Sequence, residues 1–202
     1  MSHWQTFLKS SHTLGPSPGV REQWHAGRRD YAVWALPVRD REVLERAEKV
    51  QRDLAGHIQP VPLDQLHITV WVGGFLDGDG TRNDDLDRET QASINRQIQA
   101  WRQPILVRIT GTSSFQSCPY LQVEVTGPEL ESLREKVGSV HRNDLCFSPF
   151  TPHVTLGTYT AAHAAESVAE LLRPHRARPP IPLSLSPAEG RVDAHTGTLN
   201  WV

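Results

Sequence analysis

Two tetrads stand out by residue type and spacing: His67-Ile68-Thr69-Val70 and His153-Val154-Thr155-Leu156, 86 positions apart. Each reads His, apolar, Thr, apolar. In an extended strand, successive side chains alternate between faces, so His67 and Thr69 point one way and Ile68 and Val70 the other. The second tetrad repeats the arrangement. Each motif buries two apolar side chains and presents an imidazole beside a hydroxyl on the opposite surface. Two imidazoles facing each other across a cleft suit an in-line displacement at phosphorus. One deprotonates the attacking hydroxyl or water, and the other protonates the leaving oxygen. The threonine hydroxyls can donate to non-bridging phosphate oxygens and hold the phosphorus between the histidines. On this composition one such tetrad is expected about 0.1 times by chance and two on the order of 0.005 times, a rarity reduced roughly tenfold by the free choice of pattern.

That scheme calls for no metal and no cofactor. The sequence has no HExxH, no CxxC and no cluster of His with carboxylates. The positions where a strand would carry a second metal-binding His are Thr69 and Thr155. The acidic loop from Asp77 to Asp87 holds five Asp but lacks the spacing and terminal Glu of a calcium loop. Base recognition calls for aromatic shelves. Candidates are Phe150, just before the second motif; Phe115, in the loop before the strand at Tyr120; and Trp71, which continues the His67 and Thr69 face by period 2. Tyr159 joins them if its strand stays regular from His153. Arg28 and Arg29 are candidates for steering a phosphate. The other eight histidines have no partner spacing and read as surface, and Cys118 and Cys146 as small buried hydrophobes.

The elements that must position these residues can be read from periodicity and punctuation. YAVWALPV (31–38), LHITVWVG (66–73), ILVRITGT (105–112), YLQVEVTG (120–127) and HVTLGTY (153–159) read as strands. IPLSLS (181–186), RVD and TLNWV follow, the last two around a turn at Gly197. Asp40 caps a helix with Val43, Ala47, Val50 and Leu54 on one face, stopped at Gly56. A second helix, capped at Asp84 or Asp85, buries Leu86, Thr90, Ile94, Ile98 and Trp101. A third starts at Pro128 and buries Leu130, Leu133, Val137 and Val140. A fourth, capped at Thr160, has Ala161, Ala164, Val168, Leu171 and Leu172 as its inner face. Adjacent strand pairs and Pro/Gly punctuation favour α+β with antiparallel sheets over a doubly wound parallel one. Residues 1–29, broken by GPSPG, read as a surface extension or a partly disordered one, and 30–202 as a single domain.

Length and composition bound the rest. The 202 residues carry a formal net charge of −2, are 38% hydrophobic and include six Trp, enough for a packed core. No apolar run is long enough to span a bilayer, and the start lacks the pattern of a signal peptide, so no membrane partner is expected. Two cysteines provide no disulfide framework, which favours a reduced, cytoplasmic protein. The near-neutral charge argues against coating a DNA duplex. The basic residues are 18 Arg and 3 Lys, a bias that carries little site information by itself.

The two tetrads resemble those of the 2H phosphoesterase superfamily, in its 2′-5′ RNA ligase-like and cyclic phosphodiesterase branch. SPFTPHVTLG (148–157) is similar to that family in placing Pro directly before the second motif, and YAVWALPV resembles its opening strand. The resemblance covers roughly residues 30–202 and implies a bilobal α+β fold, two pseudo-symmetric lobes each with an antiparallel sheet and helices, and both motifs lining a central cleft. It implies a phosphodiesterase acting on 2′,3′-cyclic phosphates or 2′-5′ linkages, with a small nucleotide or RNA 3′-end as partner. By the same analogy His153 is the general base, His67 the general acid, and Thr69 and Thr155 hold phosphate; the pseudo-symmetry also permits the reverse. A monomer is favoured. The alternatives are a nucleotide or RNA-end binding module without turnover, and RNA ligation.

Overall fold

The computed structural model describes residues 2–17, 19–141 and 150–202. Among these, sixteen regular elements follow one another: α1 (His3–Lys9), α2 (Val20–His25), β1 (Asp30–Pro37), α3 (Arg41–Asp53), β2 (Ile58–Pro60), β3 (His67–Phe75), α4 (Arg88–Ala100), β4 (Ile105–Ser114), β5 (Pro119–Val125), α5 (Glu129–Val140), β6 (His153–Thr155), β7 (Gly157–Tyr159), α6 (Ala165–Leu172), β8 (Ile181–Leu185), β9 (Ala188–Asp193) and β10 (Leu199–Trp201). Eight strands form one sheet in the order β10-β9-β1-β3-β6-β5-β4-β8, and every pairing in it is antiparallel. The sheet therefore has two four-stranded halves. The histidine-bearing strands β3 and β6 are the innermost strand of each, joined at Ile68 and Val154. The two lobe sheets run on into each other, so the motifs meet at a seam.

The helices form where capping and periodicity agree. The Asp40 carboxylate accepts from the Val43 N–H at 3.1 Å and starts α3, which buries Val43, Ala47 and Val50. Gly56 follows with φ +81°, a conformation that costs glycine little. These side chains join Trp34, Leu36, Ile68, Leu121 and Val154 of the sheet in one apolar cluster, which α4, α5 and α6 extend with Ile94, Leu133, Val137, Val168 and Leu172. Full burial of each such side chain is worth roughly 1.5–3 kcal/mol. A second, smaller cluster holds Tyr31, Val33, Phe75 and Leu199, with Trp24 of α2 packed on it.

Several elements differ from expectation, each for a local reason. The cap of α4 is Asp87, accepting from the Thr90 N–H at 2.8 Å. Asp84 and Asp85 are drawn away by Arg28, which bonds both carboxylates and lies 3.9 Å over the Phe75 ring. Arg28 is thus a buried cation held between two carboxylates and not free to steer a phosphate, while the largely exposed Arg29 pairs with Asp193 at 2.6 Å. The stretch 153–159 is two short strands. β7 leaves the main sheet to pair with β2. Helix α6 begins at Ala165, and Thr160 instead donates to the His57 carbonyl at 3.1 Å. The segment before β1 carries α1 and α2, and Phe7 of α1 is 1% exposed within the main cluster. His25 and His175 are buried rather than on the surface; the His175 ring meets Asp53 at 2.7 Å. Cys118 is half-buried, and Cys146 lies outside the described residues.

Candidate active site

The site is built at the seam of the sheet. Ile68 and Val154 are register partners and fully buried. Continued one residue either way, the antiparallel register sets His67 opposite Thr155 and Thr69 opposite His153. All four side chains are half-buried and share one face, while Ile68, Val70, Val154 and Leu156 are buried in the main cluster on the other. The alternation expected from the tetrads thus places each imidazole across a strand gap from the hydroxyl of the other motif.

Both histidines are held in the same way. The Nδ1 of His67 lies 2.8 Å from the Gln65 carbonyl, and the Nδ1 of His153 lies 2.8 Å from the Thr151 carbonyl. A carbonyl only accepts, so Nδ1 carries the proton in each ring and the lone pair of the neutral form is on Nε2. Burial pushes both imidazoles below their ordinary range, against the opposing pull of those carbonyl bonds. His67 is lowered further by the charge of His153, and His153 by that of His3. Each ring thus has its lone pair on Nε2, where it can take a proton or, once protonated, give one.

Aromatic rings border each imidazole. The Phe115 ring lies 5.1 Å edge-on from His153 and stacks on Tyr120 at 4.5 Å; Tyr120 is itself 5.2 Å from His153. Across the seam, Trp201 of β10 lies 6.0 Å edge-on from His67. Of the four aromatic candidates, Phe115 is brought to the site. Trp71 is not: between Thr69 and Trp71 the register of β3 with β1 slips by one residue, which turns Trp71 to the main cluster. There it is 6% exposed and its indole N–H donates to the His141 ring at 3.3 Å. Tyr159 is buried in the small sheet, its hydroxyl 2.6 Å from Ser114 Oγ. Phe150 is half-buried against the main cluster beneath the Arg134 guanidinium, 3.6 Å from its ring centroid.

Three neighbours escape the sequence reading. Trp201 and Tyr120 each lie in a strand whose alternation is legible, but their nearness to a histidine depends on strand order. His3 has no sequence signal at all. Its Nε2 is 3.1 Å from Thr151 Oγ1 and its ring 4.8 Å from Phe115, because α1 folds back against the second half. Cys118 lies beside the Thr155 hydroxyl, with burial pushing its thiol up. Among the described residues no group of three or more His, Cys, Asp or Glu is placed to hold a metal ion, and no helix is long and apolar enough to cross a membrane.

An antiparallel α+β sheet with a paired His and Thr at its central seam is the arrangement that the resemblance to the 2H phosphoesterases implies. The chain belongs to that superfamily: residues 27–189 match the family model described as the 2′-5′ RNA ligase superfamily. Solved structures share the fold at low identity. TT0787 of Thermus thermophilus is 16% identical, with a TM-score of 0.56 over 85% of this chain and 94% of that one. E. coli LigT complexed with 3′-AMP is 14% identical, with a TM-score of 0.57 over 87% and 95%. A conserved protein of Agrobacterium tumefaciens, ATU0111, is 12% identical with a TM-score of 0.57, covering 100% of this chain and 98% of that one. No curated protein matches the chain in sequence.

Proposed function

We propose that the chain is a metal-independent phosphodiesterase that opens 2′,3′-cyclic phosphates at RNA ends or cleaves small cyclic or 2′-5′-linked nucleotides. The observation that carries this reading is the matched setting of His67 and His153, each with Nδ1 tied to the carbonyl two residues earlier and Nε2 left for proton transfer. In hydrolysis of a 2′,3′-cyclic phosphate, His153 takes a proton from water as the oxygen attacks phosphorus. The P–O3′ bond breaks, and His67 delivers its proton to O3′, leaving a 2′-phosphate. Thr69 and Thr155 donate to the non-bridging oxygens, where negative charge builds. The anionic substrate supports the imidazolium that burial disfavours. That E. coli LigT has been crystallised with 3′-AMP, NADP+ and ATP is in keeping with a small nucleotide at this site.

The test is a product-resolved assay in excess chelator, using 2′,3′-cyclic nucleotides and 2′-5′ dinucleotides. The expected result is a monoester product whose yield chelator does not change. Loss of product on chelation, or its persistence in both His67→Ala and His153→Ala, would overturn the reading.

A further inference from the structure

Beside His153 lies a cavity of about 180 Å³, walled by Tyr120 and Gln122 of β5, Thr151, His3 and Trp4 of α1, and Arg176. The Arg176 guanidinium is 4.0 Å from the Trp4 ring centroid. Its Nη1 is buried and has no hydrogen-bond partner among the described residues. Burial lowers the Arg176 pKa, yet a guanidinium keeps its charge across the biological range. Arg176 is half-buried, but a buried guanidinium N–H without an acceptor is costly unless something supplies one.

The backbone below it is fixed. A Cβ at Gly111 would come within 1.6 Å of the Arg176 carbonyl oxygen, so this segment sits directly on β4 where only glycine fits. Two further polar groups line the same space. The Tyr120 hydroxyl, hydrogen-bonded with Ser113, stands beside Arg176, and burial raises its pKa. The His3 imidazole stands at the rim, bonded to Thr151. A guanidinium, a phenol and an imidazole around a space of this size suit a tetrahedral oxyanion.

We propose that this cavity is an anion subsite that takes a second phosphate of the substrate, next to the diester held by the two His/Thr motifs. The proposal rests on the phosphodiesterase reading for what occupies the neighbouring His/Thr site. The Tyr120 ring is 5.2 Å from that of His153, so a phosphate here belongs to the same nucleotide or to the adjoining one in a strand. The preferred substrates are thus nucleotides or oligonucleotides with a further phosphate, rather than nucleoside cyclic phosphates with a free 5′-hydroxyl. His3 and Trp4 precede residues 27–189, so part of the subsite comes from outside the segment that matches the family.

The experiment is calorimetric titration of the full chain with adenosine 2′-monophosphate and adenosine 2′,5′-bisphosphate, alongside the hydrolysis assay. In the unaltered protein the bisphosphate is expected to bind roughly 10- to 100-fold tighter, the range of a charge-assisted contact. Arg176→Gln should bring that ratio towards one, and Arg176→Lys should restore part of it. An equal affinity for the two ligands in the unaltered protein, or a ratio unchanged in Arg176→Gln, overturns the subsite. Product formation together with a ratio of one removes the subsite and leaves the phosphodiesterase. An Arg176-dependent ratio without product removes the phosphodiesterase and leaves the subsite.

Discussion

Ile68 of β3 and Val154 of β6 face each other across the seam of the sheet, and each lies one residue from a candidate catalytic histidine on either strand. Their packing holds the two motifs in register. Ile68→Ala should cost about 2–5 kcal/mol of stability through the cavity it opens. At a temperature where the variant is folded, turnover should still fall, because reacting groups displaced by about 1 Å can lose on the order of 100-fold in rate. Chemical denaturation and kcat on the same preparation check both; full turnover in a destabilised variant would separate the register from the chemistry.

Removal of either imidazole should be far more selective. His67→Ala and His153→Ala should each lower kcat about 100- to 10,000-fold, the range of a lost general acid or base. Melting temperatures within a few degrees of the parent would show that the loss is chemical. Thr69→Val and Thr155→Val keep shape while deleting a hydroxyl. A smaller fall in kcat/KM, about 10- to 100-fold each, is expected from the weakened hold on phosphate oxygens.

The pH profile follows from the direction of the histidine shifts. Both imidazoles fold with lowered pKa values, and the working state needs one ring protonated and one neutral. The kcat/KM profile of the free enzyme should therefore be bell-shaped with its maximum on the acid side of about pH 6.5. An anionic substrate raises both values, so the kcat profile should lie at higher pH. Stability follows the same groups. A histidine with a depressed folded pKa leaves the unfolded chain binding more protons, so stability is whole above about pH 6.5 and falls as pH drops below it. Thermal unfolding between pH 7.5 and 5 should show that loss, and the His67→Gln, His153→Gln double variant should show less of it. A kcat/KM that is flat through the basic range would contradict this assignment.

Tyr159 offers the opposite kind of test. Its hydroxyl bonds Ser114 in the interior, so Tyr159→Phe should lower stability by about 1 kcal/mol and leave turnover as it was. A loss of turnover without destabilisation would return Tyr159 to the site.

Arg28 carries a structural prediction. Replacing it by Met strands the Asp84 and Asp85 carboxylates, which lie 20% and 6% exposed, and should destabilise the fold by about 3–5 kcal/mol. Urea denaturation measures it, and an unchanged midpoint would deny the triad that role.

The four residues of the motifs are legible in the sequence because strand alternation is local: His67 and Thr69 share a face whatever surrounds them. The cap of α3 at Asp40 is legible for the same reason. Trp71 departs from its expected face because a one-residue slip against β1 resets alternation, and nothing in HITVWVGG marks it. Asp84 and Asp85 have the residue type and position of caps, but Arg28, 56 positions from Asp84, competes for them. Trp201 and His3 reach the histidines only through tertiary folding, which periodicity does not report.

The return of the chain across the seam has a further consequence. One half of the sheet contains β1 and β3 but is completed by β9 and β10, which follow all four strands of the other half in sequence. The second half is thus a contiguous insertion in the chain, and the first half closes only after the chain returns from it. Such long-range pairing slows folding. It also means that the first half is completed only once the second has been made, and the two share the β3–β6 pairing and one apolar cluster. Heat should dissolve both in one transition, so whatever loosens β10 loosens the wall of His67 and the far edge of the sheet together.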